Sequence, residues 1–374
     1  MRCQLLWTTL LTGGLSSAQI LFQRGQKWQI ILGGTPDMSK APLAPIDATV
    51  WDIDLFDNDA ATIKALKKTG DLVICYFSAG TVEDWRDDVK DFPKADVGKV
   101  LPEWPNEKWI RTGSSKVREI MAKRIKIAGD KDCDAIDPDN IDGYQNDNGL
   151  NLNSNDAIDY MKWMRIEAAK YNMKIGLKNA LDIIDALTPF IDFAVNEQCA
   201  QHVECDRYNA FLASNKPVFH IEYPTTLNVG QVNTSYCNGP GTSGMSSILK
   251  NLLLDGATIY CDGSVVDTPT KGGSGPPRPT TKPTKPPPTS TPKPPPTTTP
   301  KPPTTTPRPP TTTSRPTTTR TTTQRPPTST PGNPGGCKQK HWDQCGGNDW
   351  KGCTVCESPY TCKGVSAPWY YQCL

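Results

Sequence analysis

Residues 49–79, TVWDIDLFDNDAATIKALKKTGDLVICYFSA, decide the fold. A β-prone run (TVWDIDLF, 49–56) leads into an amphipathic stretch, NDAATIKALKKTG, and a second β-prone run (DLVICYFSA, 71–79) follows it. The pattern then repeats. Further runs stand at 108–114 (KWIRTGS), 133–140 (CDAIDPDN), 174–180 (KIGLKNA), 192–198 (DFAVNEQ), 216–223 (KPVFHIEY) and 257–262 (ATIYCD), eight in all. Between them, SSKVREIMAKRIKIAG sets Val117, Ile120, Met121 and Ala128 on one helical stripe after a Ser114 cap. SNDAIDYMKWMRIEAAKYN does the same from Ser154 with Ala157, Tyr160, Met161, Met164, Ala168 and Tyr171. Strand and helix alternating about eight times predict a (β/α)8 TIM barrel, an α/β fold, with KWQIILGG (27–34) as an extra N-terminal strand. A doubly wound open sheet is the alternative.

The whole chain of 374 residues holds 36 Pro and 29 Gly, too many for one evenly packed globule. Residues 1–18 have the layout of a cleavable secretory signal: Arg2, an apolar stretch from Leu5 to Leu15, then Ser16-Ser17-Ala18. The barrel is expected over 19–267. From 268 to 336 the chain is Thr, Pro, Ser, Lys and Arg, the composition of an extended, O-glycosylated spacer. Residues 337–374 then pack six Cys into a module too small for a hydrophobic core, so disulfides must replace one. The expected protein is secreted and monomeric, with no membrane span, and Asn233 of NTS is an N-glycan acceptor on that route.

Charge is divided unevenly. Residues 19–268 carry 26 Lys+Arg against 36 Asp+Glu, a net −10, whereas residues 269–374 are basic. An acidic barrel argues against nucleic acid and suits a cationic substrate.

In a barrel of this kind, polar residues at the C-terminal ends of strands converge on one rim. The runs here end in Asp54, Ser78, Asp139, Lys178 with Asn179, Glu197 and Glu222. DPDNIDG fails as a calcium loop, because a start at Asp137 puts Ile141 at position 5 and Asp142 where Gly is required. Three His residues form no cluster, and no metal or cofactor is expected. Paired carboxylates serve another chemistry, glycosidic bond cleavage, if both stand in one cleft. Asp139 and Glu197, ending the fourth and sixth runs, are the candidates.

VWDIDLFDNDAATIKALKKTG, VICYFSAGTVEDWRDD, IDPDNIDGY, IGLKNA, VNEQCAQHVEC and VFHIEY, in that order, resemble glycoside hydrolase family 114 over about residues 27–265. That family is associated with endo-α-1,4-polygalactosaminidase activity, and some members carry the label α-galactosidase. The resemblance implies Asp139 as nucleophile and Glu197 as general acid/base, the order of roles being less fixed than the pair. It also implies a sugar-binding rim of Asp54, Tyr76, Asp142, Tyr144, Lys178, Asn179, Glu222 and Tyr223. Asp137 points the same way as Asp139 by strand alternation, so it either joins the site or holds hydrogen bonds inside the barrel. KWIRTGSSK departs from the family by offering Arg111 where an Asp is usual. Cys199 and Cys205 match the family's paired cysteines. Cys237 is expected to pair with Cys261, and Cys75 and Cys133 are either bonded or buried thiols. An acidic barrel fits a galactosaminan with free amines, a polycation.

WDQCGGNDWKGCTVCESPYTC followed by PWYYQCL resembles the fungal family 1 carbohydrate-binding module. Its pattern implies Cys345–Cys362 and Cys356–Cys373, leaving Cys337 with Cys353, which is a stronger reading of Cys353-x-x-Cys356 than zinc in a secreted chain. It further implies a sugar-stacking face of Trp342, Trp369 and Tyr370, flanked by Gln344 and Gln372, for cellulose or chitin. A catalytically inactive, wall-bound lectin is one rival reading, and an α-galactosidase acting on plant α-galactosides is the other.

Overall fold

The computed structural model describes residues 22–272 and, near the C-terminus, 337–340, 344–346, 352–366 and 370–373. The expected signal and nearly all of the spacer lie outside these residues. The chain divides into two units, Met1–Pro287 and Pro288–Leu374.

The larger unit is built on a ten-stranded sheet whose first eight strands run parallel: Trp28–Ile31, Val50–Asp54, Leu72–Ser78, Ala135–Asp139, Lys174–Lys178, Phe193–Glu197, Val218–Glu222 and Ser246–Leu249. The sheet curls until its first strand meets its eighth, where the Trp28 indole N–H donates to the Ser246 carbonyl at 2.8 Å. The fold is a (β/α)8 barrel. Its eight strands are not the eight runs expected. The run 27–34 is the first barrel strand and not an addition to the barrel. KWIRTGS supplies Glu107–Ile110, which lies in a separate antiparallel sheet with Thr81–Glu83 and Val97–Val100. The eighth strand, SSIL, begins with two serines of weak β propensity and gave no signal. ATIYCD pairs antiparallel with it as Ala257–Tyr260, and Val265–Asp267 pairs antiparallel in turn.

Alternation along these strands fills the interior. Trp28, Ile30, Val50, Ile74, Ala135, Phe193, Val195, Phe219, Ile221 and Ile248 form one buried cluster. Phe22 plugs the N-terminal end, its ring 4.7 Å from Phe193. Gly176 makes room for the Phe193 ring, since a Cβ there would fall 2.3 Å from it. Outside, the helix Ser115–Asp130 buries Val117, Ile120, Met121 and Ala128, and Ser154–Ala169 buries Ala157, Tyr160, Met161, Met164 and Ala168. Ser114 stands at the first helix's N-terminus without capping it, because its hydroxyl donates to Asp96. The second helix begins at Ser154 as expected, and Asn153 caps it in a box with Asp156.

The folded unit continues past residue 267. Thr268 is buried and its hydroxyl donates to the Ala44 carbonyl at 2.6 Å, while Thr270–Lys271 pairs antiparallel with Thr35–Pro36. Disulfides join Cys75 to Cys133, Cys199 to Cys205 and Cys237 to Cys261. No described helix is long and apolar enough to cross a membrane.

In the smaller unit, Gln344–Gly346, Cys362–Ser366 and Tyr370–Cys373 form an antiparallel sheet with the last strand central. Cys337–Cys353, Cys345–Cys362 and Cys356–Cys373 staple it. Gln344 and Gln372 are opposite one another on neighbouring strands, and Tyr370 opens the central strand. Trp342 and Trp369 lie outside the described residues.

Candidate active site

Three barrel strands end in a charged residue and then turn at once through left-handed backbone. Asn140 follows Asp139 with φ 62°, Asn179 and Ala180 follow Lys178 with φ 49° and 51°, and Gln198 follows Glu197 with φ 67°. Such conformations are costly outside glycine and collect at functional sites. Each turn carries the chain away while the charged side chain stays on the lumen side. The turn at Asn140 is also why residue 80 is glycine, because a Cβ there would lie 1.7 Å from the Asn140 carbonyl oxygen.

The fully buried Lys178 ammonium is the centre of the site. Its Nζ lies 3.5 Å from Asp139 Oδ1, 3.6 Å from Glu197 Oε2 and 3.8 Å from Asp137 Oδ2. Burial opposes its charge, but Asp139, Glu197, Asp137 and Asp52 outweigh that and raise its pKa well above the usual lysine value. The two ion-pair contacts together bound the gap between Asp139 Oδ1 and Glu197 Oε2 at about 7 Å, a span across which two carboxyls can address one glycosidic bond.

Each of these carboxylates has its own tyrosine. The Tyr76 hydroxyl donates to Asp139 Oδ2 at 2.7 Å, and the Tyr223 hydroxyl donates to Glu197 Oε1 at 2.5 Å. The Asn140 backbone N–H fixes Asp139 Oδ1 at 2.8 Å. Asn179 grips Glu197 twice: its amide donates to Oε2 at 3.1 Å, and its carbonyl oxygen accepts from the Glu197 N–H at 2.8 Å. Asp142 and Tyr144 follow on a short 3-10 helix, Ile141–Gln145, where the Tyr144 hydroxyl donates to Asp182. Burial, then the Asp139 charge, push the Asp142 carboxyl up to about 7.

Two expected rim residues are committed to holding loops. Glu222 shares its strand with Phe219, Ile221 and Tyr223, whose alternation puts those three inward and Glu222 outward. Its Oε1 accepts from the Ala200 N–H at 2.7 Å and pairs with His220 Nε2 at 2.9 Å, so it supports the Cys199–Cys205 loop beside Glu197. Asp54 is buried against Arg86 at 2.6 Å and accepts from the N–H groups of Phe56 and Asp57, which fixes the loop after its own strand. Arg111, the departure from the family pattern, pairs with Asp96 at 3.3 Å beside the extra sheet. Cys199, Cys205 and His220 bring potential metal ligands close together, but the two cysteines are joined to each other. Asp52, on the second strand, was not anticipated. An Asp two residues before Asp54 in VWDID was its signal, since both must share a face.

Comparison with known proteins agrees with this geometry. The chain matches the family model described as Glycoside-hydrolase family GH114 over residues 12–266, and the Fungal cellulose binding domain over residues 341–370. It is similar to Ega3 of Aspergillus fumigatus, solved as a complex with galactosamine, at 43% identity and a TM-score of 0.62, covering 67% of this chain and all of that one. The glycoside hydrolase domain of PelA from Pseudomonas aeruginosa shares the fold at 12% identity and a TM-score of 0.51, covering 63% of this chain and 98% of that one. Feruloyl esterase B of Talaromyces stipitatus is 60% identical over 43 residues, 12% of this chain and 12% of that protein. The chain thus spans about an eighth of the length of that curated relative. With its family model covering most of the sequence and a 43%-identical structure covered from end to end, the chain is a glycoside hydrolase and belongs to family GH114.

Proposed function

We propose that the protein is a secreted endo-acting hydrolase of α-1,4-linked galactosamine polymers, with Asp139 as nucleophile and Glu197 as general acid/base. One observation carries this reading: Lys178 holds Asp139 and Glu197 together at one mouth of the barrel, each with a separate tyrosine donor. In the reaction, Asp139 attacks the anomeric carbon while Glu197 gives its proton to the departing oxygen. Glu197 then takes a proton from water as that water displaces Asp139. Both Glu197 oxygens accept hydrogen bonds, the arrangement of the residue after it has delivered its proton.

Similarity to a protein solved with galactosamine supports an amino-sugar substrate. So does charge, because a barrel of net −10 attracts a polymer bearing free ammonium groups, an attraction that salt weakens. The C-terminal module, matching a cellulose-binding model, would hold the catalyst on cellulose or chitin and raise its local concentration there.

The test is to incubate the purified protein with partly deacetylated galactosaminogalactan and follow reducing ends. Release of oligosaccharides that falls with added salt, and that both Asp139→Asn and Glu197→Gln abolish, is the expected result. Hydrolysis of other α-galactosides with this polymer left intact would replace the substrate assignment. Binding without turnover would make the barrel a lectin.

A further inference from the structure

Beneath the reacting pair the lumen holds two more acids that the reaction does not use. Asp52 on the second strand and Asp137 on the fourth have no exposed surface. None of their four carboxyl oxygens accepts a hydrogen bond from any donor among the described residues. The Lys178 ammonium is 3.8 Å from Asp137, an ion-pair distance beyond hydrogen-bond reach. The two carboxyls do touch one another, in a contact that becomes a hydrogen bond when one of them is protonated. As two anions they would combine full desolvation with mutual repulsion. A single proton between them removes the repulsion and creates the bond that both lack.

Resting on the assignment of Asp139 and Glu197 as the reacting pair, we propose that Asp52 and Asp137 share one proton and act as positioning residues, their single negative charge leaving the Lys178 ammonium centred on Asp139 and Glu197. The polar groups around this pair come from the third to the seventh strands. The third presents Tyr76, bonded to Asp139; the fifth presents Lys178; the sixth presents Glu197; and the seventh presents Tyr223, bonded to Glu197. Asp139 shares the fourth strand, and Asp142 follows it. The first and eighth present Trp28, Ile30 and Ile248, which do not titrate. Burial, followed by the charges of Asp139 and Glu197, pushes Asp137 up to about 7, and burial with the neighbouring Asp137 raises Asp52 as well. Near neutral pH the pair therefore loses the first of its two protons, and the second stays shared because burial and the new Asp137 charge hold it on Asp52. Loss of that second proton at higher pH gives a dianion that competes for Lys178 and draws it away from Asp139 and Glu197.

The experiment compares the full-length protein with Asp52→Asn, which replaces the shared proton by an amide N–H and limits the pair to at most one negative charge at any pH. The alkaline limb of kcat/KM is expected to move up by about one pH unit or more. The infrared spectrum recorded below neutral pH should lose the protonated-carboxyl absorption of one group. A limb that stays in place, or a protonated-carboxyl absorption that is undiminished, overturns the proposal. Should Asp52→Asn fail to fold, Asp137→Asn removes the other half of the pair and is read by the same infrared band. That band does not depend on turnover, so its outcome is separate from whether Asp139 and Glu197 are the reacting groups.

Discussion

Removing the Lys178 ammonium tests the architecture of the site most directly, and Lys178→Met does so at nearly constant side-chain length. At 3.5 and 3.6 Å, and with the effective dielectric near 20 that suits protein sites, each contact to Asp139 and Glu197 is worth about 5 kcal/mol of gross attraction. Desolvation of the buried ammonium cancels much of this. Deleting one member of a buried ion cluster nevertheless costs about 3–5 kcal/mol, because the remaining charges are left to repel each other. For a domain of this size each kcal/mol moves Tm by about 2–4 °C, so the variant should melt about 6–20 °C lower. The catalytic consequence has a definite sign. Without the ammonium, negative charge on the Asp139 nucleophile has lost its nearest cation and is disfavoured. The acid limb of kcat/KM, which requires an ionised nucleophile, should then move to higher pH. Calorimetry and a pH–rate series on the same preparation measure both effects. A variant that melts within about 2 °C of the parent, with an unshifted acid limb, would refute the central placement of Lys178.

Stability should also depend on pH in a particular direction. Burial holds the Asp137 and Asp142 carboxyls at about 7, and burial raises Asp52 too, so the native state keeps protons that the unfolded chain releases near pH 4. Stability from these groups is present below pH 4 and is lost as pH rises through about 7; melting temperatures that climb across that interval would contradict it. The Cys75–Cys133 bridge spans 58 residues, and its loss in Cys75→Ala/Cys133→Ala should lower unfolding free energy in urea by roughly 4 kcal/mol on the chain-entropy model. A change under about 1 kcal/mol would show that the bridge restricts the unfolded chain little. In the C-terminal module, Trp369→Ala should reduce retention on microcrystalline cellulose at least tenfold, with turnover of a soluble substrate as the control, and undiminished retention would remove Trp369 from the binding face.

The sequence by itself determined that the chain is a barrel followed by a Pro/Thr-rich tract and a stapled module, because the period of apolar residues and the spacing of cysteines are local properties. Residues 49–79 show the strand–helix–strand unit directly, and Asp139, Lys178 and Glu197 each mark the end of an apolar run. Which runs close the barrel was decided elsewhere. KWIRTGS has strand character yet pairs antiparallel outside the barrel, whereas the serine-led Ser246–Leu249 becomes the eighth strand, since register and closure are settled between distant segments. The direction of side chains likewise needed the tertiary structure. Glu222 looks equivalent to Glu197 in the one-dimensional pattern, but its alternation with Ile221 and Tyr223 turns it outward to hold a loop. Asp52 and Asp137 stand 85 positions apart in the chain and meet only because parallel strands align them inside a closed sheet. Charge interactions of that kind depend on distance and burial, and a linear sequence contains neither.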